Sequence, residues 1–146
     1  MSADQGLIDT DILILRRWID PAELPGEVAI SAISLAELSA GPHLVRPGHP
    51  GYDEHIERAR RMDVLQRAES EFDPIPFEAE AARAYGRLSA AVVAYGRRPR
   101  RRTAGLMIAA TALVEGLPLF TTNPDDFKGL EDLVTVVPVT HPTTKP

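Results

Sequence analysis

Three carboxylates in this 146-residue sequence stand where a metal site on a parallel sheet would need them. Asp9 directly follows the apolar pair Leu7-Ile8, and Asp126 follows Leu119-Phe120 through the segment TTNPDDF. Glu37 lies one turn into the helix expected after the strand EVAIS. In open parallel sheets ligands sit beyond the carboxyl ends of the strands, so these acids are expected to converge. Carboxylates gathered in this way repel one another unless a cation joins them, and Mg²⁺ or Mn²⁺ favours such hard oxygen ligands. Each acid also has a local structural explanation. Asp9, Thr10 or Asp11 can cap the first helix. Ser34-Leu35-Ala36-Glu37 fits a capping box, with Glu37 bonding back to the Ser34 amide. Asn123-Pro124-Asp125-Asp126 fits a helix start with Pro at the first position and acids near the positive end of the dipole.

A second chemical feature is the basic run Arg97, Arg98, Arg100, Arg101 and Arg102, in a chain whose net charge is −5. An acidic protein with one local cationic ridge can hold a phosphate backbone beside a metal site. The same run also fits a solvated loop broken at Pro99. His43, His49, His55 and His141 show no ligand spacing, and Trp18 and the tyrosines fit helix faces.

The elements that must position these groups follow from periodicity. Gly6–Ile8, Glu27–Ser31, Leu117–Phe120 and Leu133–Val137 read as short strands. Helical character is expected over Ile12–Ile19, from Ser31 or Ser34 through Leu38, over Tyr52–Phe72 and over Glu78–Tyr95. Thr103–Glu115 is apolar on nearly every side and is expected to be a buried helix. Gly96 and Gly116 are natural helix stops. Residues 41–51 carry three glycines and three prolines and must be a loop. Pro74-Ile75-Pro76 is a short extended link. Short strands alternating with helices predict an α/β protein with a parallel sheet covered on both faces.

Composition narrows the class. An apolar content of 44% is ordinary for a globular domain, and the absence of cysteine removes disulfide and thiolate chemistry. The start MSADQGLIDTDILIL lacks a basic n-region and a cleavage site, and no apolar run reaches a membrane span, so a cytoplasmic location without membrane contact is expected.

The stretches LIDTDIL (7–13), ISAISLAEL (30–38), LMIAATALVEGLPLFTTNPDDF (106–127) and VVPV (136–139) together resemble the PIN-domain nucleases, most closely the VapC toxins of toxin–antitoxin pairs. The resemblance implies an α/β/α sandwich with a central parallel sheet of four or five strands. The length of the chain predicts a single domain, over residues 1–140, and residues 141–146 read as a frayed tail. The resemblance also implies the toxin component of a type II toxin–antitoxin system: an Mg²⁺- or Mn²⁺-dependent endoribonuclease that cuts structured RNA, such as tRNA or rRNA loops, leaving 5′-phosphate and 3′-hydroxyl ends. It further implies a homodimer and a cognate VapB-type antitoxin as partner. Asp9 and Glu37 match the family's first two acids and Asp126 its last, the set that binds metal. Thr121 and Asn123 match polar positions that support that last acid, completing the catalytic set. Arginines of the 97–102 run would grip phosphates of the RNA.

The family's third acid lies three residues before the Ile of IAA, and here that position is Gly105. Glycine supplies neither charge nor ligand. Two outcomes follow: an impaired ribonuclease, or a catalytically inactive PIN-fold module that binds antitoxin or RNA. Asp9-Thr10-Asp11 is also similar to the D-x-D motif of haloacid-dehalogenase-like phosphatases. That family requires a lysine before its terminal acids, whereas Lys128 and Lys145 both follow Asp125-Asp126.

Overall fold

The computed structural model describes residues 4–48 and 50–142. Four short strands, β1 (Gln5–Ile8), β2 (Glu27–Ala29), β3 (Leu119–Thr121) and β4 (Val136–Pro138), form one sheet in the order β2-β1-β3-β4. All three pairings are parallel. Five helices connect and cover them: α1 (Thr10–Leu15), α2 (Ala32–Ala40), α3 (Glu54–Glu71), α4 (Ala79–Tyr95) and α5 (Thr103–Glu115).

The two-residue period of the strands divides the core in two. Leu7 and Leu119 point to one face, where they pack with Ala84, Leu88 and Val92 of α4 and Leu106 and Ala109 of α5. Ile8 and Phe120 point to the other, among Ile12 and Leu15 of α1, Leu38 of α2 and Ala68 of α3. The expected α/β/α sandwich with a central parallel sheet is therefore the architecture observed. α5 is buried as its composition requires, and α4 and α5 end at Gly96 (φ 99°) and Gly116 (φ 66°), whose left-handed backbone glycine adopts without a Cβ clash.

Several boundaries differ from expectation for local reasons. α1 begins at Thr10 and gives way after Leu15 to a 3₁₀ turn, Arg16–Trp18, rather than running to Ile19. The strand expected at Leu133–Val137 begins only at Val136, because Val134 N–H bonds back to Leu130 in a turn that buries both side chains. In the link at 74–76, Ile75 bridges Ser31 in the parallel sense, extending the sheet edge by one rung. The helix over α3 is present, but Ile56 and Met62 of its apolar stripe are exposed. His49 and residues 143–146, the end of the expected tail, lie outside the described residues.

Gly6 illustrates how closely the central strands are packed. A Cβ there would lie 2.4 Å from Cε1 of Phe120, a ring that is itself buried. Gly6→Ala is expected to destabilise the protein by about 1–3 kcal/mol through overpacking, seen as a lowered Tm in thermal melting.

Candidate active site

The chain leaves β1 toward β2 on one side and returns to pair β3 on the other, so the strand order reverses at the β1–β3 boundary. Such a boundary leaves a crevice at the carboxyl ends of the strands. Asp9 is the residue after β1, and its amide donates to Phe120 O at 3.1 Å, continuing the ladder. The register that sets Leu7 beside Leu119 and Ile8 beside Phe120 brings Asp9 level with Thr121.

Asp9 is only 8% exposed. Its Oδ1 accepts the Ile12 amide at 3.1 Å, so it is the N-cap of α1, and its Oδ2 accepts the Thr121 hydroxyl at 2.5 Å. Burial pushes its carboxyl up from 3.8 to about 6; the two hydrogen bonds hold it down in part, while Asp11 and Asp126 add further upward pressure. A buried acid with like charges nearby, at a strand end, is the arrangement expected of a functional carboxylate. The capping role and the candidate chemical role thus fall on the same side chain.

Thr121 was expected to support Asp126 and instead serves Asp9, because the β1–β3 register places those two side by side. The Asn123 amide donates to Thr121 Oγ1 at 2.9 Å, and its side-chain amide donates to Asp11 at 2.9 Å. Its carbonyl accepts the Asp126 amide, closing the 3₁₀ turn Pro124–Phe127 that carries Asp126. Asn123 therefore supports the last acid through its backbone, while its side chain ties that turn to α1.

The capping box at Ser34 does not form. Ser31 is the N-cap of α2, accepting the Ile33 amide at 3.0 Å, which places Ser34 inside the first turn and Glu37 beyond it. The Thr10 hydroxyl donates toward Ser34 Oγ (3.0 Å) and Glu37 Oε1 (2.5 Å). Thr10 and Asp11 were not among the candidate site residues, and the motif Asp9-Thr10-Asp11 carried the signal: consecutive polar groups at a strand-to-helix junction face the same crevice.

The basic run separates into two kinds of residue. The Arg102 guanidinium pairs with Asp126 Oδ1. Arg97 donates to the Asp125 carbonyl and lies over the Tyr95 ring, 5.5 Å from its centroid. Arg98, Arg100 and Arg101 are exposed. Gly105 is the third residue of α5, and a Cβ there would meet the Phe127 ring at 3.8 Å, an ordinary van der Waals contact beside the acidic turn.

Every acid in the crevice offers hard oxygen, so the donor chemistry fits Mg²⁺ or Mn²⁺. The donors are not gathered into a cage, however: among the described residues no group of three acids or histidines is arranged to hold an ion. Glu37 is held by Thr10 and Asp126 by Arg102.

The PIN domain family model matches residues 7–133. Ribonuclease VapC5 of Mycobacterium tuberculosis (strain ATCC 25618 / H37Rv) is 31% identical over 134 residues, spanning 90% of this chain and 91% of that protein. The crystal structure of VapBC-5 from the same species, a member of the VapBC family of toxin–antitoxin systems, superposes with a TM-score of 0.74 at 31% identity, covering 91% of this chain and 95% of that one. VapBC2 from Rickettsia felis, bound to a DNA fragment from its promoter, gives a TM-score of 0.67 at 23% identity, covering 90% and 96%; that likeness is one of fold.

Proposed function

The chain belongs to the PIN domain family, and on that premise we propose that it is a VapC-type toxin of a type II toxin–antitoxin system, a ribonuclease whose cleavage depends on Mg²⁺ or Mn²⁺ and is weakened by Gly105. The observation that carries the chemical part is the buried Asp9 carboxylate at the β1–β3 boundary, with Thr121, Asp11 and Asp126 around it. The likeness to a VapBC complex supports a VapB-type antitoxin as partner, and the exposed apolar side chains Leu44, Ile56 and Met62 offer a protein surface to cover. In this proposal the protein works as a cytoplasmic homodimer; among the described residues no helix is long and apolar enough to cross a membrane.

Asp9, Glu37 and Asp126 would hold the ion, which when bound supplies positive charge against the scissile phosphate and acidifies the attacking water. The chain's own residues set the stage for that chemistry. Thr121 and the Ile12 amide fix the Asp9 carboxylate in one orientation. Thr10 holds Glu37 toward the crevice from the first residue of α1. The exposed Arg98, Arg100 and Arg101 can neutralise flanking phosphates, which favours an RNA loop whose unstacked bases leave the backbone accessible.

The test is incubation with tRNA and rRNA in Mn²⁺ and in chelator, alongside a binding assay with the antitoxin encoded beside it. Slow cleavage in Mn²⁺ that chelator abolishes is expected. The absence of the family's third acid at Gly105 favours a second reading, an inactive module that binds antitoxin or RNA. Intact RNA in Mn²⁺, together with retained antitoxin binding, would establish that reading instead.

A further inference from the structure

Arg102 is the N-cap residue of α5, and its guanidinium reaches Asp126 at the mouth of the crevice. The pair is partly solvated, with the two side chains 36% and 45% exposed. Arg97 touches the same 3₁₀ turn one residue earlier, at the Asp125 carbonyl, so the basic segment is fastened to the acidic turn at two points. Position 105 lies three residues beyond Arg102 along α5, a spacing at which an acid would face the guanidinium and compete for it. Glycine there leaves Arg102 with Asp126.

We infer that Arg102 is an internal counter-cation of the crevice: it neutralises Asp126 in the metal-free chain, and a divalent ion must compete with it for that carboxylate. This inference rests on the metal site proposed above. The guanidinium holds Oδ1 of Asp126, so an ion taken up by the same carboxylate would lie within a few ångströms of a positive charge and would be opposed by it, modestly because both side chains are partly solvated. Arg102 is on this account a positioning residue that tunes ion affinity, while the exposed Arg98, Arg100 and Arg101 are left to meet RNA. The basic run is thus divided in function as well as in exposure.

The test is Mn²⁺ titration of the intact chain, followed by calorimetry and by loss of the free-ion electron paramagnetic resonance signal. Arg102→Gln is expected to bind Mn²⁺ about fivefold more tightly than the parent, the scale set by the loss of one exposed ion pair. Arg102→Lys, which keeps a charge but loses the planar fork, is expected to fall between them. Arg98→Gln removes the same charge from the same segment and is expected to leave Mn²⁺ affinity within about twofold of the parent, since solvent and salt screen exposed charges. Weaker or unchanged binding in Arg102→Gln, with Asp9→Asn still abolishing binding, overturns the inference and leaves the site standing. Mn²⁺ binding that Asp9→Asn does not alter overturns the site itself.

Discussion

Gly105→Asp is expected to raise Mn²⁺-dependent RNA cleavage on the order of a hundredfold, because even outer-shell residues of metal sites are worth about 10–100-fold and a direct ligand is worth no less. The backbone accepts the change. Gly105 lies within α5, and its new Cβ would meet only the Phe127 ring at 3.8 Å among the contacts beyond its own helix. The carboxylate would enter the first turn of the helix, where the dipole favours negative charge, and Asp is a better helix residue than Gly by a few tenths of a kcal/mol. It would also face Arg102 across one turn, drawing the guanidinium from Asp126 and freeing that acid for the ion. Whichever of the two acids the guanidinium keeps, the other is left to the ion, so the net gain is one ligand. Cleavage rates and Mn²⁺ affinities of both proteins, with chelator controls, measure it. Equal rates and equal affinities would mean that position 105 does not serve the site.

Asp9→Asn is expected to abolish cleavage and, in the absence of metal, to make the protein more stable. The folded state holds the Asp9 carboxyl at about 6 against an ordinary 3.8, so between those values the folded chain binds more protons than the unfolded one. Stability therefore falls as pH rises through this window, and above it the ionised, buried group costs on the order of 3 kcal/mol. Asparagine removes the charge and keeps the cap: it caps helices as well as aspartate does, and its side-chain oxygen can still accept the Ile12 amide. Its amide nitrogen replaces the oxygen that accepted the Thr121 hydroxyl, so that contact must reverse and part of the gain is lost. A rise in Tm of roughly 5 °C at pH 7 is expected, with the difference between the two proteins closing as pH is lowered toward 4. Mn²⁺ should stabilise only the parent, since the ion binds the folded state through the carboxylate that the variant lacks. An Asp9→Asn protein that melts below its parent at pH 7 in chelator would show that the charge is compensated in the fold.

The features legible in the sequence were those decided by neighbours in the chain. Gly96 and Gly116 mark the ends of α4 and α5 because a left-handed stop is a local requirement. The burial of α5 follows from apolar residues on nearly every side of one segment. What escaped was decided across the fold. Ser34-Leu35-Ala36-Glu37 has the local form of a capping box, but α2 is capped by Ser31, where the chain leaves the sheet edge beside Ile75, and Glu37 is claimed by Thr10 from another helix. The resemblance assigns Thr121 to the support of Asp126, while strand register gives its hydroxyl to Asp9. The pairing of Arg102 with Asp126 joins a helix cap to a turn on the far side of β3, which no periodicity encodes.

The bonds Thr121–Asp9 and Asn123–Asp11 each join residues 112 apart in the chain. A ribosome adds about 5–20 residues per second, so on the order of ten seconds separates the synthesis of Asp9 from that of the hydroxyl that orients it. Throughout that interval the nascent toxin has its first acid and lacks the strand against which that acid must be set. The order of synthesis thus sets when the crevice can exist: it assembles only when the chain is nearly finished.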